Sequence, residues 1–300
     1  MILCCGEALI DMLPRSTTAG EHAYAPHTGG AVFNTTVALG RLGAEVSFFS
    51  GISTDLFGEM LADGLADAGV DTSPAARSDR PTTLAFVRLV DGQASYAFYD
   101  EGTAGRMLSP ADLPDVTADA CFFGGISLVS EPCGGVYETL MLREADKRLT
   151  MIDPNVRPGF IRDKAAYRAR LDRMLAAADI VKISDEDLRW IGGHRDAGAL
   201  VSDRTRVVLL TRGAKGVTVF TRAGNFDVAA QPAAVVDTVG AGDTFNAGVL
   251  AGLNDAGALS RDAIASIAEP DLRAAVALGT AAAAVTVSRA GANPPWRREL

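Results

Sequence analysis

Asp237-Thr-Val-Gly-Ala-Gly-Asp-Thr-Phe-Asn246 is the stretch from which the rest of this chain is best read. Gly240-Ala241-Gly242 precedes an apolar run of helical period, roughly Asp243 to Leu253. With side chains stripped away where a helix begins, consecutive backbone N–H groups can approach an anion, and the helix dipole adds positive potential. A carboxylate in the first turn, Asp243, then stands beside any bound phosphate, where it can take a proton from an attacking hydroxyl. The alternative for Asp243 is a plain helix cap, a common task for Asp.

Outward from this point, compact apolar runs alternate with helical patterns. Met1–Cys5, Val46–Ser50, Ala120–Phe123, Thr150–Ile152, Ile180–Ile183 and Val207–Leu210 predict buried strands. Helices are expected over Phe33–Arg41, Phe57–Ala68, Val136–Arg148 and Ala165–Ala177, and a strand meander from Arg206 to Ala230. Such alternation predicts an α/β fold with a mainly parallel sheet covered by helices on both faces, its ligand site at the carboxyl ends of the strands. Two segments break the rhythm: residues 14–28 are polar and turn-rich, and 82–99 predict a hairpin around Asp91-Gly92. Both are assigned to a small β lid. The large domain then comprises 1–13, 29–81 and 100–300.

Composition sets limits. The 300 residues are 48% hydrophobic and 22% charged, an ordinary globular balance with ample core. A net charge of −9 without a Lys/Arg cluster argues against a nucleic-acid footprint. Cys4, Cys5, Cys121 and Cys133 form no C-x-x-C pair and are expected to be buried reduced thiols. His22, His27 and His194 show no metal-ligand spacing. The opening Met1–Cys5 run predicts a strand and not a signal peptide, and no apolar run reaches membrane-spanning length. A cytoplasmic protein without membrane partners is expected.

The decapeptide, together with Gly29-Gly30-Ala-Val-Phe-Asn34, resembles the ribokinase/PfkB family of carbohydrate kinases. Further motifs follow in order along essentially the whole chain. They are Gly6-Glu-Ala-Leu-Ile-Asp11, Gly40-Arg-Leu-Gly43, Gly51-Ile-Ser-Thr-Asp-Leu-Phe-Gly58, Asp153-Pro-Asn-Val-Arg157, Thr211-Arg-Gly-Ala-Lys-Gly216 and Thr286-Val-Ser-Arg-Ala-Gly-Ala292. Within the family the chain looks closest to bacterial fructokinases, on Pro81-Thr-Thr-Leu-Ala-Phe-Val87, Tyr96-Ala-Phe-Tyr99, Thr103-Ala-Gly-Arg106 and Ala290-Gly-Ala-Asn-Pro-Pro295.

The resemblance implies an ATP-dependent sugar kinase. On that resemblance Asp243 would be its general base, and the Gly240, Ala241 and Gly242 amides would stabilise the moving phosphoryl group. Asp11, at the end of the first strand, Gly29, Gly30 and Asn34 would hold the sugar. Phe98 would cover its apolar face, and Arg157 would reach the sugar or the phosphoryl oxygens. Thr211, Arg212, Gly213, Ala214, Lys215 and Gly216 would line the nucleotide phosphates. Lys182 and Ser184 would face the same cleft, with Thr280 near adenine. Magnesium is implied on the phosphates. Where the family usually has Asn-x-x-Glu, this chain has Ser184-Asp-Glu-Asp187, which leaves open which acid serves the metal; Asp187 is the candidate. The backbone of Asp237, Val239 and Gly291 would hold a monovalent cation such as potassium. A lid sheet with one apolar face suggests a homodimer.

Other classes fit less well. There is no G-x-x-x-x-G-K-[ST] for a P-loop kinase, nor a G-x-G-x-x-G after the first strand for a dinucleotide enzyme. A non-catalytic sugar sensor predicts loss of Asp243 or its glycines, and both are present. Among sugars, fructose phosphorylated at its 6-hydroxyl comes first. Kinases of 2-keto-3-deoxygluconate, ribose or a nucleoside are the alternatives.

Overall fold

Strands buried on both faces read as continuous apolar runs, and that is how this chain's central sheet is written. The computed structural model describes residues 1–90, 93–192 and 196–300. In chain order the elements are β1 (Ile2–Cys5), β2 (Leu9–Ser16), β3 (His22–Gly29), α1 (Ala31–Arg41), β4 (Val46–Phe49), β5 (Gly51–Ser53), α2 (Leu56–Asp67), β6 (Ala76–Ser78), β7 (Leu84–Val90) and β8 (Gln93–Tyr99). The second half adds β9 (Ala120–Gly124), α3 (Cys133–Glu144), β10 (Leu149–Asp153), α4 (Lys164–Ala177), β11 (Ile180–Ser184), α5 (Asp185–Gly192), β12 (Val207–Thr211), β13 (Val217–Thr221), β14 (Gly224–Val228), α6 (Ala241–Asp255), α7 (Arg261–Ala265) and α8 (Glu269–Val287).

The large sheet has eight strands in the order β14-β13-β12-β11-β10-β9-β1-β4, parallel from β4 to β12 and antiparallel beyond. Alternation along β1 shows how both faces are filled. Ile2 and Cys4 join the core beneath α1, α2, α6 and α8, whereas Leu3 and Cys5 join the one beneath α3 and α4. The four cysteines are free and buried, and burial pushes the Cys4 thiol up to about 12. No helix among the described residues is long and apolar enough to cross a membrane.

A second sheet, ordered β3-β2-β7-β8, hangs from the end of β1. It begins at Leu9, ahead of the boundary expected at residue 14, because Leu9 and Ile10 are already paired with Gly29 and Thr28 across β3. Asp11 therefore sits inside β2, opposite His27, and does not end the first strand, which stops at Cys5. The stretch 14–28, read as turn-rich, is mostly strand, with its turn confined to residues 17–21. Pro26 and the polar residues of β3 suit this because β3 is an edge strand. The expected hairpin tip at Asp91-Gly92 and the residue His194 lie outside the described residues.

Helices α6 and α8 pack closely enough that a Cβ added to Gly248 would lie 2.6 Å from the Cα of Gly279. Gly248→Val should force the two helices apart and cost about 1–3 kcal/mol of stability, as for other overpacked sites. A lowered urea midpoint would show this, and an unchanged one would contradict the contact.

Candidate active site

The parallel strands all end on one side, and the chemistry-bearing residues follow those ends. Asp153 closes β10 beside Gly124 of β9, and Ser184 closes β11 beside Thr211 of β12. Oδ2 of Asp153 accepts hydrogen bonds from Lys182 Nζ at 2.8 Å and from Asn246 Nδ2 at 2.7 Å. Lys182 lies on the neighbouring strand and Asn246 on α6, so this carboxylate joins the sheet to the helix. Its charge pair with Lys182 is enclosed, the two side chains being 3% and 6% exposed. Lys182 was expected to face the nucleotide; here its ammonium is held by Asp153. Burial opposes its charge, but the carboxylates of Asp153, Asp187 and Asp243 outweigh this and hold its pKa above the usual lysine value.

Asp243 is the third residue of α6. The cap position belongs to Gly240, at φ 77°, so Asp243 is not the cap. Gly240 offers no side-chain acceptor, which leaves first-turn N–H groups for a ligand. Across the cleft, Asn34 Nδ2 donates to Asp243 Oδ2 at 2.9 Å, and Thr35 Oγ1 donates to the Asp243 carbonyl at 3.2 Å. Burial pushes the Asp243 carboxyl up to about 7. The Asn34 bond works against this, Asp153 reinforces it, Lys182 opposes it, and Glu7 adds to it. Such a carboxyl is poised to exchange a proton near neutrality.

The second side of the cleft comes from the small sheet. Burial raises the Asp11 carboxyl to about 6. Gly29 passes against this residue, since a Cβ there would run into Asp11 Oδ2. Gly30, at φ 106°, then opens α1, and Asn34 follows one turn later. Phe98 is half-buried and meets Phe160 edge-on, with centroids 4.3 Å apart. Phe160 lies three residues past Arg157, so the small sheet and the β10 loop touch here. Arg157 itself is exposed, donates to the Val156 carbonyl at 3.3 Å, and forms no ion pair among the described residues.

On the far side, Thr211–Gly216 is the turn joining β12 to β13, with Gly213, Ala214 and Lys215 exposed. Arg212 points elsewhere, its Nη2 lying 2.9 Å from Asp227 Oδ1. Asp187 accepts from Val156 N at 2.8 Å and from Ser184 Oγ at 2.7 Å, so both its oxygens already have internal donors. Thr280 is buried on α8 and donates to the Ala277 carbonyl. Asp237 draws its partners together, accepting from Val239 N at 3.0 Å and Gly291 N at 2.9 Å.

Asp153, Asn246 and Glu7 stand at this site without a role assigned from sequence. Glu7, in the turn after β1, accepts from Ala31 N at 2.9 Å and Ser127 N at 3.2 Å. Its only sequence signal is its place in the Gly6–Asp11 motif.

The family model for pfkB family carbohydrate kinases matches residues 1–298. A fructokinase of Rhizobium leguminosarum bv. trifolii is 54% identical over 279 residues, covering 91% of this chain and 86% of that protein. A Salmonella typhimurium fructokinase is 34% identical, covering 98% and 96%. The crystal structure of a Xylella fastidiosa fructokinase with bound ATP superposes with a TM-score of 0.89 at 31% identity, covering 97% and 93%.

The electrostatics of Asp243 can be tested without any reaction. Carboxyl 13C NMR should find an aspartate titrating near pH 7. Asn34→Ala removes the bond that stabilises its ionised form, so the midpoint should move higher. A midpoint near 4 in the intact chain would contradict the enclosure described.

Proposed function

The chain belongs to the pfkB family of carbohydrate kinases, and we propose that it transfers the γ-phosphoryl group of ATP to D-fructose, giving fructose 6-phosphate. Membership makes it an ATP-dependent sugar kinase. Fructose is supported by its likeness to the Rhizobium and Salmonella fructokinases. The observation that carries the chemistry is the Asp243 carboxyl, enclosed at the start of α6 and raised to about 7.

In this reading Asp243 takes the proton from the sugar hydroxyl as that oxygen attacks phosphorus. The amides of Gly240, Ala241 and Gly242 receive the charge on the transferred group. Asp11, the Gly29-Gly30 backbone and Asn34 hold the sugar's other hydroxyls, Phe98 covers its apolar face, and Arg157 is free to swing onto the phosphoryl oxygens. The Thr211–Gly216 turn, exposed at Gly213, Ala214 and Lys215, lies along the ATP phosphates, with Thr280 toward adenine. Ser184 acts through Asp187.

Magnesium, when bound, neutralises charge on the phosphates. The residues present fit an ion carried mostly by phosphates and water: Asp187 has both oxygens engaged by Val156 and Ser184 and would hold it only through water. The loops of Asp237, Val239 and Gly291, tied together by the Asp237 carboxylate, supply the backbone for a monovalent cation such as potassium. Tyr24, Phe86 and Tyr99 form an edge-to-face row on the small sheet, with Tyr24 47% and Tyr99 62% exposed. A second copy of the chain would cover that row, making a homodimer. The cytoplasm, where ATP is abundant and thiols stay reduced, suits such an enzyme.

A coupled ATP-consumption assay across fructose, 2-keto-3-deoxygluconate, ribose, glucose and adenosine tests the substrate. Fructose should lead in kcat/KM by about 100-fold or more, as expected where a site hydrogen-bonds its substrate's hydroxyls. Preference for another of these would overturn fructose.

Asp243→Asn should lower kcat by about 10²–10⁴, the usual share of a general base. Because the ionised carboxylate is the active form, kcat/KM of the intact enzyme should fall as pH drops through about 7. Turnover of the variant within tenfold of the intact enzyme would remove Asp243 from the role.

A further inference from the structure

We infer that Glu7 is a positioning residue for the sugar, its carboxylate setting the start of α1 against the 125–127 turn so that Gly29, Gly30 and Asn34 stand in register with Asp243. The inference rests on the sugar-kinase reading above.

Three chain segments are built around this side chain. The first is the start of α1, where the capping residue Gly30 has no side-chain acceptor to offer. Glu7 supplies what is missing from a distance. Its Oε1 accepts from Ala31 N at 2.9 Å and its own carbonyl accepts from Phe33 N at 3.2 Å. A negative charge at a helix N-terminus is also favoured by the dipole. The second segment is the turn after β9, where Ser127 N donates to Oε2 at 3.2 Å. The third is the turn after β1 in which Glu7 itself lies.

The surrounding glycines show that the space is reserved for the carboxylate. A Cβ at Gly30 would lie 2.9 Å from the Glu7 carbonyl oxygen and 3.1 Å from its Cγ. A Cβ at Gly125 would run into both carboxylate oxygens. No ion pair to Glu7 occurs among the described residues; its oxygens serve the Ala31 and Ser127 N–H groups and the Ser127 side chain.

What hangs on these bonds is the sugar half of the cleft. Gly29 and Gly30 lie immediately before Ala31, and Asn34, which reaches Asp243 at 2.9 Å, lies one turn after it. The nucleotide half is built from the β11 and β12 ends and from α6 and α8, none of which Glu7 bonds. Loss of the carboxylate should therefore be felt by the sugar and not by ATP.

Steady-state kinetics of the full chain with fructose and ATP test this, using Glu7→Ala and the isosteric Glu7→Gln. A Gln must present its amide nitrogen to at least one of the two N–H donors, so it restores only part of the arrangement. Sugar KM should rise about threefold or more in Glu7→Gln and more than tenfold in Glu7→Ala, with ATP KM within twofold in both. Sugar KM within twofold of the intact chain in either folded variant, or parallel rises in both KM values, would overturn the inference. If Glu7→Ala does not fold, Glu7→Gln decides alone. Failure of the fructose reading would appear in the unsubstituted enzyme, so the two outcomes are separable; the variants are then compared on whichever sugar that enzyme uses.

Discussion

The buried pair of Lys182 and Asp153 decides where the rest of the site can stand. Asp153 lies at the last position of β10, so its carboxylate projects from the carboxyl edge of the sheet, and Lys182 reaches it from the adjacent strand at 2.8 Å. The same oxygen accepts from Asn246, one turn into α6 beyond Asp243. One carboxylate thus sets the height and rotation of the helix that carries Asp243. Removing either charge would leave the other buried and unpaired, at a cost of about 3–5 kcal/mol. Against a typical domain stability of about 5–15 kcal/mol, that is a large fraction. Thr286, which donates to Thr244 at 3.0 Å, holds the same turn of α6 from the side of α8.

Burial does most to set where Asp243 titrates, and the two charges of the pair pull it in opposite directions. Asp153 and Glu7 disfavour its charge, and Lys182 and Asn34 favour it. With burial the balance leaves the carboxyl near 7, above its ordinary 3.8. Between those values the folded chain keeps a proton that the unfolded chain has released. The stability contributed by Asp243 is therefore present at low pH and is lost as pH rises toward about 7. The same rise produces the ionised carboxylate, the form the proposed base needs, where this residue stabilises the fold least. Tension of this kind between local stability and chemistry is common at active sites.

Much of this was legible residue by residue. The Gly240–Gly242 run, a carboxylate in the first helical turn and the alternation of strands with helices are local features, and each predicts its own structure. Asp11 was harder. Its motif marked it as a sugar ligand, but the apolar run ahead of it suggested that it ended the first strand. The break at Gly6 through Ala8, where the chain leaves one sheet for another, carries no special turn signal beyond a single glycine. Lys182 carries a partner its local sequence does not show: only the neighbouring strand reveals that Asp153 holds its ammonium. Glu7 had no local reason to be singled out, since its partners lie 24 and 120 residues away.

Asp243 behind its glycines therefore divides the information well. By itself the sequence determined that a helix begins there, that its N–H groups are open to an anion, and that a carboxylate stands in its first turn. These follow from side chains absent or present within a few residues. Only the tertiary structure decided that this carboxyl is enclosed and titrates near neutrality, with Gly240 and not Asp243 at the cap. Its pKa depends on burial and on Asn34, Asp153, Lys182 and Glu7, which come from separate parts of the chain. Electrostatic energy depends on distance in space, and that distance is set by folding, not by position along the chain.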